Sequence, residues 1–175
     1  MMKKISDLHR NELIKLLNGL KSLSEDNYAF IEAFLNRAKS QPSLKRYKQM
    51  IDRALEFDEL QRCDYDLDKM HRHLVSFLKA STDKHARAEL LVYAVEAGCS
   101  LTINWGDMGE YYYDFMFDLF KEMLQTIEIL PDKEERKSVL IERIKKLIFK
   151  LEDVGYGFQD DVGDAFYEYF GRYDE

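Results

Sequence analysis

Along most of the chain, apolar residues recur three and four positions apart, the spacing that lines one face of an α-helix. From about Ser6 to Leu20, Leu13, Leu16, Leu17 and Leu20 share a face, with Ser6 or Asp7 placed to cap the first turn and Gly19 placed to weaken the end. A second segment opens at Ser24, where Glu25 and Asp26 suit the positive end of a helix dipole, and carries Tyr28, Ile31, Phe34, Leu35 and Ala38. Pro42 breaks that run and can open a third helix, because the first turn does not need its missing amide. That helix carries Leu44, Tyr47, Met50, Ile51, Ala54 and Leu55 opposite a basic face of Lys45, Arg46 and Lys48.

A fourth segment begins near Asp66 with Leu67, Met70, Leu74, Phe77 and Leu78. The fifth, from about Asp83 to Ala97 and capped by Thr82 or Ser81, contains Leu90-Leu-Val-Tyr-Ala-Val95. Apolar nearly all round, it belongs at the centre of the fold, and Gly98 suits its C-terminal turn. A loop is expected over 100–107. A sixth helix from about Met108 to Leu130 is stopped by Pro131, and a seventh spans about Asp132 to Asp153. The Gly155–Gly157 turn then leads to an eighth, about Gln159 to Phe170. The pattern predicts an all-α protein of about eight helices, in a compact bundle or as stacked helical hairpins resembling an α-α superhelix. One domain over 1–175 is expected, with basic N-terminal helices (1–57) packed on a 66–170 core.

Charge narrows the function classes. The net charge is −7 and the pI is about 5.2, which argues against a nucleic-acid or anionic-membrane binder. Residues 1–55 hold eleven Lys/Arg against six Asp/Glu, whereas 151–175 hold one arginine against eight acids. Ends of opposite sign suit attraction within or between molecules. A nucleic-acid surface on residues 37–53 is the weakest alternative. No apolar stretch reaches the ~20 residues of a membrane span, and no apolar run follows Met-Met-Lys-Lys, so a soluble cytoplasmic protein without a signal peptide is expected. Cys63 and Cys99 stand apart from metal-ligand spacing and fit a reducing compartment.

Four groups of residues carry candidate chemistry. In the first, Trp105 precedes Gly106, and Asp107, Glu110 and Asp114 are spaced three and four apart, with Tyr112 between them. That spacing would gather carboxylates for a divalent cation; it equally suits a capping box, with Asp107 as cap and Glu110 completing it. In the second, Asp160-Asp161-x-x-Asp164 is similar to the Mg²⁺-diphosphate motif of terpene synthases, although three acids in a first turn are also what the helix dipole favours. The third is the histidines: His71 and His73 point apart, while His85 and Glu89 face the same way but lack a local third ligand. Cys99, beside Gly98, is a weaker candidate as a nucleophile. The fourth is the aromatic set Tyr156, Phe158, Phe166, Tyr167, Tyr169 and Phe170, whose first two rings flank Gly157 and suit a protein interface.

Glu89-Leu-Leu-Val-Tyr-Ala-Val-Glu-Ala-Gly98, Gly106-Asp107 with Glu110 and Tyr112, and Gly155-Tyr-Gly-Phe-Gln-Asp-Asp161 with Tyr167, Tyr169 and Phe170 carry a resemblance. Over about 66–170 the chain resembles an uncharacterised bacterial family of small helical proteins, defined only as a domain of unknown function. The resemblance implies an all-helical fold and supplies no catalytic residue or cofactor. The family often has tryptophan and histidine where this chain has Tyr156 and Gln159.

Two functions are therefore carried forward. One is a non-catalytic helical interaction module, self-associating or binding a protein, with a patch drawn from Trp105, Asp107, Glu110, Tyr112, Tyr156, Phe158, Asp160, Asp161 and Asp164. It expects Trp105, Tyr156 and Phe158 to be exposed together. The other is a divalent-metal enzyme using Asp107, Glu110, Asp160, Asp161 and Asp164, which requires the loop before helix six to meet the turn before helix eight across a pocket.

Overall fold

The computed structural model describes residues 4–56, 65–131, 135–152, 154–155 and 157–171. Among the described residues, a short 3₁₀ turn at Ile5–Asp7 is followed by eight α-helices: α1 Arg10–Leu23, α2 Glu25–Leu35, α3 Gln41–Ala54, α4 Leu67–Ala80, α5 Lys84–Trp105, α6 Glu110–Glu128, α7 Glu135–Lys150 and α8 Phe158–Phe170. No strand occurs among the described residues, and the all-α class is as expected. The extensive contacts join helices one or two places apart in sequence: α1 with α2, α2 with α3 and α4, α3 with α4 and α5, α5 with α6 and α7, α6 with α8. That is the pattern of helical hairpins stacked side by side, here sharing one continuous hydrophobic core from Ala29 to Phe166.

Local chemistry sets the helix starts. The Ser24 hydroxyl accepts from the Asn27 amide at 3.1 Å, and Asp66 accepts from the Lys69 amide at 2.7 Å, as those residue types suggest. At α5 the cap is Asp83, which accepts from the Ala86 amide at 3.0 Å, rather than Ser81 or Thr82. Those two residues tie the α4–α5 loop to the α2–α3 loop instead. The Ser81 and Ser40 hydroxyls share a buried hydrogen bond of 2.7 Å, and Thr82 donates its amide and hydroxyl to the Arg37 carbonyl, each at 3.1 Å. The start of α1 also differs from expectation. Ser6 and Asp7 lie in the 3₁₀ turn, and the His9 amide donates to the Glu12 carboxylate at 2.8 Å. Gly19 does not end α1, which continues to Leu23.

The largest departure is α5. The expected end at Gly98 and the expected loop over 100–107 give way to a helix of 22 residues reaching Trp105. Gly98 lies inside it, and its value is the missing side chain. A Cβ there would stand 2.5 Å from the Met116 methyl, so α6 crosses α5 closely at this point. The Tyr112 hydroxyl donates to the Gly98 carbonyl at 2.6 Å across that crossing. The turn that needs positive φ comes later, at Gly106 (φ 89°) and Gly109 (φ 84°), which reverse the chain between α5 and α6.

Charged groups on three helices lock the middle of the stack. Arg143 of α7 donates to Glu89 at 2.6 Å and to both Glu96 oxygens at 3.0 and 2.6 Å, and Lys48 of α3 donates to Glu89 at 2.6 Å. At the end of α6, the buried Lys137 ammonium donates to the Glu128 and Leu130 carbonyls at 3.1 and 3.0 Å. A cation there satisfies carbonyls that the helix leaves open.

Candidate functional site

The two segments singled out in the sequence do approach each other. A cleft of about 450 Å³ lies between the start of α6 and the turn into α8, lined by Glu110, Tyr113, Asp114, Phe117, Gly155, Phe158 and Asp161. Hydroxyls and backbone hold its α6 side. Thr102 donates its one hydroxyl hydrogen to the Gly106 carbonyl at 3.0 Å, so Tyr113 donates to Thr102 at 2.8 Å and accepts from the Met108 amide at 3.5 Å. On the other side Gly155 approaches Tyr113 so closely that a Cβ would lie 2.9 Å from its hydroxyl. The Tyr113 and Phe158 rings stand 5.3 Å apart and close the floor.

The carboxylates divide between surfaces. Glu110, Asp114 and Asp161 line this cleft. Asp107 lines a neighbouring cavity of about 480 Å³ with Lys150 and Glu152. Asp107 is also not the helix cap: its carboxylate accepts from the Gly109 amide at 2.9 Å, and Gly109 occupies the cap position, so the capping box with Glu110 is not formed. Asp160, Asp161 and Asp164 are all exposed on α8. Among the described residues, no group of three or more His, Cys, Asp or Glu side chains is placed to hold a metal ion.

The aromatic half of the expected patch is not one exposed surface. Trp105 ends α5 at 45% exposure, but Phe158 retains 4% and Tyr112 1%. Phe158 is buried because it packs on Tyr113. Tyr112 is buried because its ring fills the α5–α6 crossing and meets Tyr65 edge-on at 5.4 Å. Tyr156 lies outside the described residues, as does Cys63. Gln159, where the resembled family often has histidine, donates its amide to the Ile148 carbonyl at 3.1 Å and so completes the end of α7.

The remaining candidates are structural in their surroundings. Cys99 is fully buried on α5, and burial, with the Glu96 carboxylate adding to it, pushes its thiol up to about 12, which disfavours the thiolate that a nucleophile needs. His71 meets Phe115 edge-on at 5.9 Å. His73 is buried with Nδ1 3.5 Å from Asp26. His85 and Glu89 line a second cleft of about 320 Å³ with Lys48 and Arg136.

One surface was not singled out in the sequence. Helix α1 buries none of its residues, although Leu13, Leu16, Leu17, Leu20 and Leu23 run along it at apolar spacing. Among the described residues, nine of the fifteen large exposed apolar side chains lie within residues 5–35, so the open apolar surface is concentrated on the α1–α2 hairpin rather than scattered. Leu16, Leu17, Leu20, Leu23, Phe30 and Phe34 keep between 38 and 74% of their surface. Phe30 and Phe34 stack at 6.3 Å on the exposed side of α2, while Ala29 and Ala33 face the core. The sequence signal was present: a leucine stripe complete enough for a core helix, on the first helix of the chain, with α2 as its neighbour.

No described helix is long and apolar enough to cross a membrane. No family model, curated protein or solved structure matches the chain.

Proposed function

We propose that the protein is a helical interaction module and that its docking surface is the α1–α2 hairpin. The observation that carries this reading is a fully formed amphipathic helix whose apolar stripe has no core to enter. An apolar stripe normally exists to be covered, and a contiguous open one marks a place where another macromolecule sits. The test is chemical cross-linking of the wild-type chain and a Leu17→Glu/Leu20→Glu variant in crude extract. Adducts present with the wild type and absent with the variant support the module; the same adducts with both would reject the hairpin as its surface.

A second reading, a divalent-metal enzyme, is favoured by the meeting of the 104–114 and 155–164 segments across the cleft of Glu110, Asp114 and Asp161. Asp107, Asp160 and Asp164 would have to act from outside that lining. An ion held only by the folded state raises stability by ~2.7 kcal/mol at a hundredfold excess over its Kd. Thermal unfolding with Mg²⁺, Mn²⁺, Ca²⁺ or Zn²⁺ against EDTA decides it. A shift of several degrees with one ion, lost in Asp161→Asn, would bring the enzyme forward; unchanged melting with every ion would remove it.

A further inference from the structure

We infer that the occupant of the α1–α2 face is a second copy of this chain, docked antiparallel about a two-fold axis so that the two hairpins form a four-helix layer. The inference rests on the interaction-module reading and adds the identity of the partner.

Three observations carry it. The first is the geometry of the stripe. Leu13, Leu16, Leu20 and Leu23 are spaced three, four and three apart, the alternation of a helix–helix seam. Leu17 and Ile14 widen the seam on one side, which suits contact with two helices rather than one.

The second is charge. Each copy carries −7, so two copies approaching at an arbitrary orientation repel. On the hairpin the charges nearly balance: residues 4–35 hold four Lys/Arg against five Asp/Glu. Arg10 stands exposed at the start of α1, and Asp26, its side chain 68% exposed, stands at the α1–α2 junction beyond the other end, where the neighbouring Glu25 is already held by Arg53 at 2.7 and 2.9 Å. A two-fold rotation that lays α1 antiparallel on its copy brings Arg10 of each chain toward the acidic junction of the other. Arg10 also falls on the line of Leu13 and Leu17, so its guanidinium extends the apolar stripe at the end where Asp26 of the copy arrives. The surface is therefore self-complementary, which is what an isologous interface requires.

The third is size. At 14 residues α1 is ~21 Å long, and two adjacent helices are ~20 Å wide. The flat footprint is thus about 400 Å² per copy, or about 800 Å² for the pair before side-chain relief is counted, less than the ~1,000 Å² that a stable interface clears, so the contact is a transient one. The expected dimer is weak, with a Kd in the micromolar range.

The experiment is sedimentation equilibrium of the full chain from ~1 to ~200 µM, the range that brackets such a contact. A monomer–dimer equilibrium is expected, shifted to monomer by Leu20→Glu and by Phe34→Glu. Neither side chain is buried, so circular dichroism and melting should match the wild type. Arg10→Glu and Asp26→Lys should each weaken the dimer at least fivefold, and the double variant should regain most of the loss. That restoration is specific to the antiparallel register. A chain that stays monomeric at ~200 µM overturns the inference, as does a dimer indifferent to Leu20→Glu. Single charge variants that weaken it without mutual rescue overturn the two-fold arrangement. If the chain is monomeric but its cross-linked adducts in extract still vanish with Leu17→Glu/Leu20→Glu, the hairpin remains a docking surface and only the second copy is excluded.

Discussion

Cys99 and His73 show how burial redirects residues that a sequence would offer for chemistry. The Cys99 thiol lies wholly inside α5 and is pushed up to about 12, so at neutral pH it is a small apolar packing group. The native chain should leave Cys99 unlabelled by a thiol reagent such as DTNB over minutes, and the denatured chain should label it at once; labelling of native Cys99 at a rate typical of exposed thiols would contradict this packing. His73 is held below the usual imidazole range chiefly by desolvation; the attraction of Asp26 opposes that shift, while Lys69, Arg72 and Arg53 reinforce it. The sign follows from linkage. The unfolded histidine protonates near pH 6.5, whereas the folded one resists until lower pH, so its contribution is complete above about 6.5 and is lost as pH falls through the folded value. The urea midpoint should therefore decline between about pH 7 and pH 5, and His73→Gln should flatten part of that slope relative to wild type. An identical slope in the variant would assign the pH dependence elsewhere.

At the scale of elements, the fold rests on joints between helices more than on any single helix. The Glu89–Arg143–Glu96 joint fastens α5 to α7, and Lys48 brings α3 to Glu89. Arg143 is held above its ordinary range by hydrogen bonds to Glu96 and the charges around it. Arg143→Ala would strip the part-buried Glu96 carboxylate of its guanidinium while Glu89 keeps Lys48, and solvent access to the groups limits the cost to about 1–2 kcal/mol. Denaturant unfolding checks this; adding Glu96→Gln to Arg143→Ala should recover part of the loss, because the stranded charge is gone. The same elements show what a one-dimensional pattern reveals. The 3.6 period gave every helix its place, since each apolar face is written in adjacent turns. The end of α5 is not legible at Gly98, because a glycine that admits a neighbouring helix and a glycine that ends a helix read alike. Met116 and Tyr112, which settle the choice, are more than a dozen residues away. The Asp107–Glu110 pair misled for a related reason: the spacing suits a capping box, but the positive φ of Gly109 starts the helix two residues later. The cleft was half legible. Its two segments were marked by glycines and aromatic rings, but which carboxylates faced inward depended on the docking of α8 against α6, a contact between parts of the chain remote in sequence. The hairpin surface was legible only as a stripe, since a leucine face looks the same whether a core or a partner covers it.

At the scale of the whole molecule, stability is graded along the stack. Helix α5 supplies eleven buried residues and packs against α3, α4, α6 and α7, while α1 buries none and leans on α2. A 14-residue helix without tertiary burial is marginal in water, so α1 should open far more readily than the molecule unfolds. This has a consequence for amide hydrogen exchange. In dilute solution the α1 amides should exchange within seconds to minutes, by local opening, while α5 amides wait for global unfolding. If a second copy covers the hairpin, α1 protection becomes a function of protein concentration, rising as the dimer fills while α5 protection changes little. The first helix would then report assembly directly: its exchange rate, followed by mass spectrometry across a dilution series, would trace a binding isotherm from the amides of 14 residues.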